Sequence, residues 1–96
     1  MDALKRLEEW YRRHCDGEWE HRYGVEVGTL DNPGWRLEFD LVGTAIESRH
    51  FAQSKIDRGE SDWIHAKVED GKFVAACGPS NLEEALKLFL DWAESK

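Results

Sequence analysis

The chain has 96 residues, of which 41% are hydrophobic and 34% charged, with five Trp, four Phe, two Tyr and a formal net charge of −7. That length suits one domain over 1–96, and the aromatic content argues against intrinsic disorder, because each large ring supplies substantial burial in a small core. The acidic balance speaks against nucleic acid or an anionic membrane as partner, where basic surface supplies most of the affinity, and is compatible with a basic partner protein.

No apolar run approaches the ~20 residues of a membrane span, and residues 1–6 lack the apolar stretch and cleavage site of a signal peptide, so a cytoplasmic location is expected. Two cysteines, Cys15 and Cys77, are too few for a secreted disulfide scaffold and are expected as reduced thiols.

Residues 2–15 predict an amphipathic helix. Leu4, Leu7, Tyr11 and His14 recur at helical spacing, Trp10 widens the stripe, and charged residues cover the rest. Asp2 is placed to cap its start and Gly17 to stop it. Tyr23, Val25 and Val27, then Trp35, Leu37, Phe39 and Leu41, alternate with small or polar residues and predict a hairpin. Between them Asp31-Asn32-Pro33-Gly34 reads as a type II turn with Gly34 at positive φ. Residues 44–51 hold Ala45, Ile46 and Phe51 and suggest a weaker third strand, whereas 54–61 reads as a polar loop.

Residues 63–69 alternate again, Asp70-Gly71 is a strong hairpin turn, and 73–77 returns as the partner strand. Ser80-Asn81-Leu82-Glu83 has capping-box spacing and opens a helix over about 82–94. Leu82, Ala85, Leu86, Phe89 and Ala93 make its stripe, while Leu88, Leu90 and Trp92 leave it greasier than one sheet face requires. Trp10 and Trp92, on helical stripes, are assigned to the core, as is Trp35. The sum is an α+β fold: an antiparallel sheet of four to five strands with the N- and C-terminal helices packed on one face.

The residues 15–35 carry a further signal. Cys15-Asp16-Gly17-Glu18-Trp19-Glu20-His21, Tyr23-Gly24-Val25 and Thr29-Leu30-Asp31-Asn32-Pro33-Gly34-Trp35 resemble the signature of the immunity protein 53 family. Asp62-Trp63-Ile64 and Gly78-Pro79-Ser80-Asn81-Leu82-Glu83-Glu84 are similar to that family as well, and the resemblance is weakest over 44–60. It implies a cytoplasmic antidote of a bacterial polymorphic toxin system, a protein that binds and neutralises a cognate toxin. It carries over no catalytic residue, no cofactor and no toxin contact.

Candidate contacts come from the residues themselves. In 16–21, Glu18 and Glu20 could engage cations of a basic toxin, with Trp19 as anchor. The competing reading is a connection in which Trp19 covers the core and the acids are solvated. On the strands, alternation sends Arg36, Glu38 and Asp40 outward and sets Trp63 among outward charges, an arrangement suited to an interface with an aromatic centre and polar rim. The alternative folds Trp63 over a sheet edge. A toxin nuclease with a basic groove would suit an acidic antidote. His14, Cys15, Asp16 and His21 are metal-ligand types without the spacing of a zinc site, so no metal is expected. No catalytic motif is present, and no enzyme activity is expected. Two rivals remain: a small enzyme using Cys77, with His65 or His21 as base, and a subunit that self-associates, as a homodimer, through the C-terminal helix.

Overall fold

A computed structural model describes residues 2–95. In chain order it comprises α1 (Ala3–His14), the short helix α2 (Trp19–Arg22), β1 (Val25–Leu30), β2 (Gly34–Asp40), β3 (Ser54–Gly59), β4 (Asp62–Glu69), β5 (Lys72–Cys77) and α3 (Leu82–Ala93). The strands form one antiparallel sheet in the order β1-β2-β5-β4-β3. The fold is α+β, as expected.

Period-2 alternation builds the core. Register pairs Phe39 with Phe73, Leu37 with Ala75, Trp35 with Cys77 and Ala75 with Ala66, which puts all of them on one face of the sheet. On that face Leu37, Phe39, Phe73, Ile64 and Cys77 are fully buried. Phe89 of α3 packs into them, 4.8 Å from the Phe39 ring and 4.9 Å from the Phe73 ring, and Trp10 of α1 meets Phe89 edge-on at 5.1 Å. Trp35 points the same way but lies half-buried at the sheet's end, its indole N–H donated to the Pro79 carbonyl at 3.0 Å.

Helix α1 starts where Asp2 Oδ1 accepts the Lys5 N–H at 2.8 Å. Its buried face is Ala3, Leu7 and Trp10, so the stripe lies one residue round from the expected one and Leu4 is 59% exposed. Arg6 ties it to α3 through Asp91 at 3.0 Å and Glu94 at 2.5 Å.

Four local expectations are corrected. Gly34 does not take positive φ; it begins β2 opposite Leu30 and is buried, and a Cβ there would collide with the Cys77 carbonyl oxygen. The glycine is required by the close approach of β5 and not by the turn. Residues 44–51 form turns instead of a strand, with Ile46 and Phe51 filling space beside α3. The third strand is 54–59, in the stretch read as a loop: Ile56 pairs with Ile64 and faces inward, and Lys55 and Asp57 face out. The Ser80–Glu83 capping box does not form. Asn81 occupies the cap position, its side chain taking the Trp63 N–H at 3.3 Å and donating to Asp62 at 2.9 Å and Glu84 at 3.3 Å. The 70–71 turn is as expected, with φ of 53° at Asp70 and 75° at Gly71, the mirror-image geometry that hairpins favour.

The greasy residues of α3 have partners within the chain. Leu86, Phe89 and Leu90 are buried, and Leu88 and Trp92 pack half-buried against the core. The helix ends where Arg49 Nη1 donates to the carbonyls of Trp92 at 2.9 Å and Ser95 at 2.8 Å, a cation on the negative end of the helix dipole. Among the described residues no helix is long and apolar enough to cross a membrane.

Candidate functional site: the open sheet face and its acidic corner

Both terminal helices use one side of the sheet, so the opposite side stays open. Alternation presents there Glu26, Gly28 and Leu30 from β1, and Arg36, Glu38 and Asp40 from β2. It adds Lys72, Val74 and Ala76 from β5, Trp63, His65, Lys67 and Glu69 from β4, and Lys55 and Asp57 from β3. Its centre is apolar and low, a depression of about 350 Å³ walled by Leu30, Arg36, His65, Lys67, Val74 and Ala76. Four cations (Arg36, Lys55, Lys67, Lys72) face five anions (Glu26, Glu38, Asp40, Asp57, Glu69), so the face is close to neutral and most of the −7 lies elsewhere.

Glu38 and Asp40, expected as cation-seeking contacts, are already engaged. Glu38 pairs with Arg36 and lies 3.8 Å from Lys72; Asp40 accepts the Gly24 N–H at 3.0 Å and lies 3.9 Å from Lys72. Trp63 is half-buried on this open face, its ring 5.2 Å from that of His65, whose Nε2 is 2.8 Å from Asp57 Oδ1. Trp63 and Asp40 share the face but sit at opposite ends of it, roughly 20 Å apart at ~3.3 Å per strand residue.

The 16–21 segment is a self-capped turn. Asp16 Oδ1 accepts the N–H groups of Glu18 and Trp19, both at 2.9 Å, and Glu20 reaches back to the N–H groups of Asp16 at 2.9 Å and Gly17 at 2.8 Å. The Trp19 and Glu18 N–H groups hold the Asp16 carboxyl below its usual pKa, and backbone N–H groups do the same for Glu20. Trp19 is 6% exposed, donates its indole N–H to Val42 O at 2.8 Å and packs among Trp10, Tyr11, His14 and Tyr23. Its burial follows the reading in which Trp19 covers the core; Glu18 remains on the surface. The depression beside it, about 670 Å³, is rimmed by Arg13, His14, His21 and Arg22 as well as Asp16 and Glu18, and is therefore mixed in charge.

Missed in the sequence is an acidic corner next to Trp63. The β3–β4 turn and the first turn of α3 are joined by one cation, Arg58, which holds Asp62 at 2.9 Å and Glu84 at 2.6 Å, with Glu60 and Glu83 close to these two acids in the chain. Arg58 lowers the carboxyl pKa of both, helped by Asn81, and its own is raised in turn. Glu60 and Glu83 are exposed beyond that network. Their separation by 23 positions hides the cluster from any local reading of the chain.

Cys77 is not placed as a nucleophile. It is fully buried on the helix side, burial pushes its thiol pKa up, and His65 projects from the other side of the sheet. Cys15 is exposed, and the two thiols are free. Among the described residues no group of three or more His, Cys, Asp or Glu side chains is arranged to hold a metal ion.

No curated protein and no solved structure matches the chain. The family model described as immunity protein 53 matches residues 4–94, which takes in α1, the self-capped turn, the whole sheet and α3. The chain belongs to the immunity protein 53 family.

Proposed function

We propose that the chain is a cytoplasmic antidote that binds a cognate bacterial toxin and blocks it by occupation, and that the contact lies on the open sheet face at its Trp63 end. Family membership supports the antidote role. The observation that supports the location is a half-buried indole on an uncovered face, at the strand end where the chain turns over to the Arg58–Asp62–Glu84 network and the exposed Glu60 and Glu83. Aromatic centres with polar rims are the usual anatomy of a recognition surface, and unengaged rim carboxylates attract a basic partner before contact. A basic toxin, such as a nuclease with a cationic groove, fits that chemistry.

The test uses the cognate toxin, sought first among the products of neighbouring genes. Association should be fast at low salt and slow steeply as ionic strength rises, because screening shortens the reach of the field. Glu60→Lys with Glu83→Lys should cut the on-rate and flatten that salt dependence, while Trp63→Ala should raise the off-rate. A toxin that binds all these variants as it binds the parent would move the contact elsewhere. Growth protection of cells producing the toxin reads the antidote role separately from the choice of surface.

A further inference from the structure

The sheet has two outer strands, and the structure treats them differently. Strand β3 is guarded: its register shifts by a bulge between Asp57 and Gly59, and its outward backbone positions carry Lys55 and Asp57. Strand β1 has no such guard. Its six residues pair with β2 without a break, from Val25 opposite Phe39 to Leu30 opposite Gly34. The Asp40 N–H bonds to the Gly24 carbonyl at 3.0 Å, which sets the alternation: 26, 28 and 30 bond to β2, and the N–H and C=O groups of Val25, Val27 and Thr29 point away from the sheet. The helical layer stops short of this strand, for Val27 is 43% exposed and, with Leu4, one of two large hydrophobic side chains exposed among the described residues.

We propose that β1 pairs antiparallel with β1 of a second copy of this chain, centred on Val27, so that two five-stranded sheets become one of ten strands. Only registers that keep the buried and open faces continuous satisfy the pleat, and only pairs between outward-bonding residues make the hydrogen bonds. Centring on Val27 meets both conditions. Val27 faces Val27 of the partner subunit, Val25 faces the partner's Thr29, and Glu26 faces the partner's Gly28. No like charges meet.

Charge complementarity selects a second copy over an arbitrary strand. Gly28 has no side chain, and Arg36 of the neighbouring strand lies across it, its guanidinium within 3.3 Å of where a Cβ would stand. In the proposed register Glu26 of each copy arrives at that guanidinium, twice by symmetry. Arg36 Nη1 is paired with Glu38 and its Nη2 lies over Gly28, so an alternative strand gains this second contact only by placing an acid at that position. The surface is distinct from the Trp63 end, so the pair leaves the proposed toxin contact open.

The experiment measures mass against concentration for the full chain, with amide exchange followed residue by residue. Strand pairing alone is a small interface, so dimer is expected to accumulate at about 10–100 µM. Exchange at Val25, Val27 and Thr29 should slow as dimer forms, while exchange at 26, 28 and 30 changes little. Val27→Pro removes an outward N–H and no bond to β2, and should remain monomeric. Glu26→Arg and Arg36→Glu should each weaken the dimer about tenfold, and the double variant should recover it; this arm stands even if the proline variant fails to fold. A monomer at every concentration overturns the proposal. So does a dimer indifferent to these changes, or protection at 25, 27 and 29 that appears only when the toxin is added.

Discussion

The two faces of the sheet are cut from the same strands yet obey different rules. On the helix side Leu37, Phe39, Ile64 and Phe73 are sealed under Phe89 and Trp10, and the one titratable side chain among them is the buried Cys77. On the other side charges of both signs surround Val74 and Ala76, and no element of the described chain lies over them. A residue's parity within its strand therefore decides whether it contributes to stability or to recognition, and the two can be changed separately. One exception is Gly34, which by parity belongs to the open side but is buried because the end of β5 passes against it.

That division can be broken or sharpened by substitution. Phe39→Ala empties a site shared by three phenylalanine rings and should cost about 3–5 kcal/mol in chemical denaturation, close to the whole stability of a small domain. Gly34→Ala probes the exception and should cost about 1–3 kcal/mol, because backbone has to move to admit the methyl group. If it melts with the parent protein, the close approach of β5 is wrong.

Acid tests the division without mutation. The carboxyls of Asp16, Glu20, Asp62 and Glu84 have folded pKa values below their ordinary 3.8 or 4.5, so the stability they contribute is complete above those values and is lost as pH falls through the lowered ones. Melting temperature should drop over that window, and Glu20→Gln should show less of the drop. The Phe39–Phe73–Phe89 packing contains no group that titrates there.

On the open face the effects on folding shrink. Trp63→Ala should cost about 1 kcal/mol for its half-buried ring and a larger factor in toxin binding. A loss matching Phe39→Ala would return Trp63 to the core. Glu38→Lys, which exchanges a surface ion-pair network for repulsion with Arg36 and Lys72, should shift stability by about 0.5–1 kcal/mol.

Period-2 alternation made β2, β4 and β5 legible in the sequence, and turn chemistry the Asp70-Gly71 link; alternation left Trp63 open between the outward face and a fold over the sheet edge. It failed at β3, where Ser54–Gly59 has a single inward apolar residue, Ile56, and owes its strand form to pairing with β4. Residues 44–51 misled in the opposite sense: Ile46 and Phe51 are apolar because they fill the space beside α3, not because they alternate. Helix α2 is four residues long and has no period to read, so the burial of Trp19 was open until its indole found Val42. The acidic corner depends on two turns meeting in space.

The strand order also sets a clock. Each outer pair is joined by a short turn, so hairpin β1–β2 and meander β3-β4-β5 can form from local contacts in microseconds. The seam between them, β2 against β5, joins Asp40 to Lys72 across the long excursion 41–71 and brings Phe39 onto Phe73. Closing that excursion costs chain entropy before any of the seam's contacts form, so the rate of folding is set where the two halves meet. Substitutions in the seam should slow refolding, while equally destabilising ones in β3 should mainly hasten unfolding.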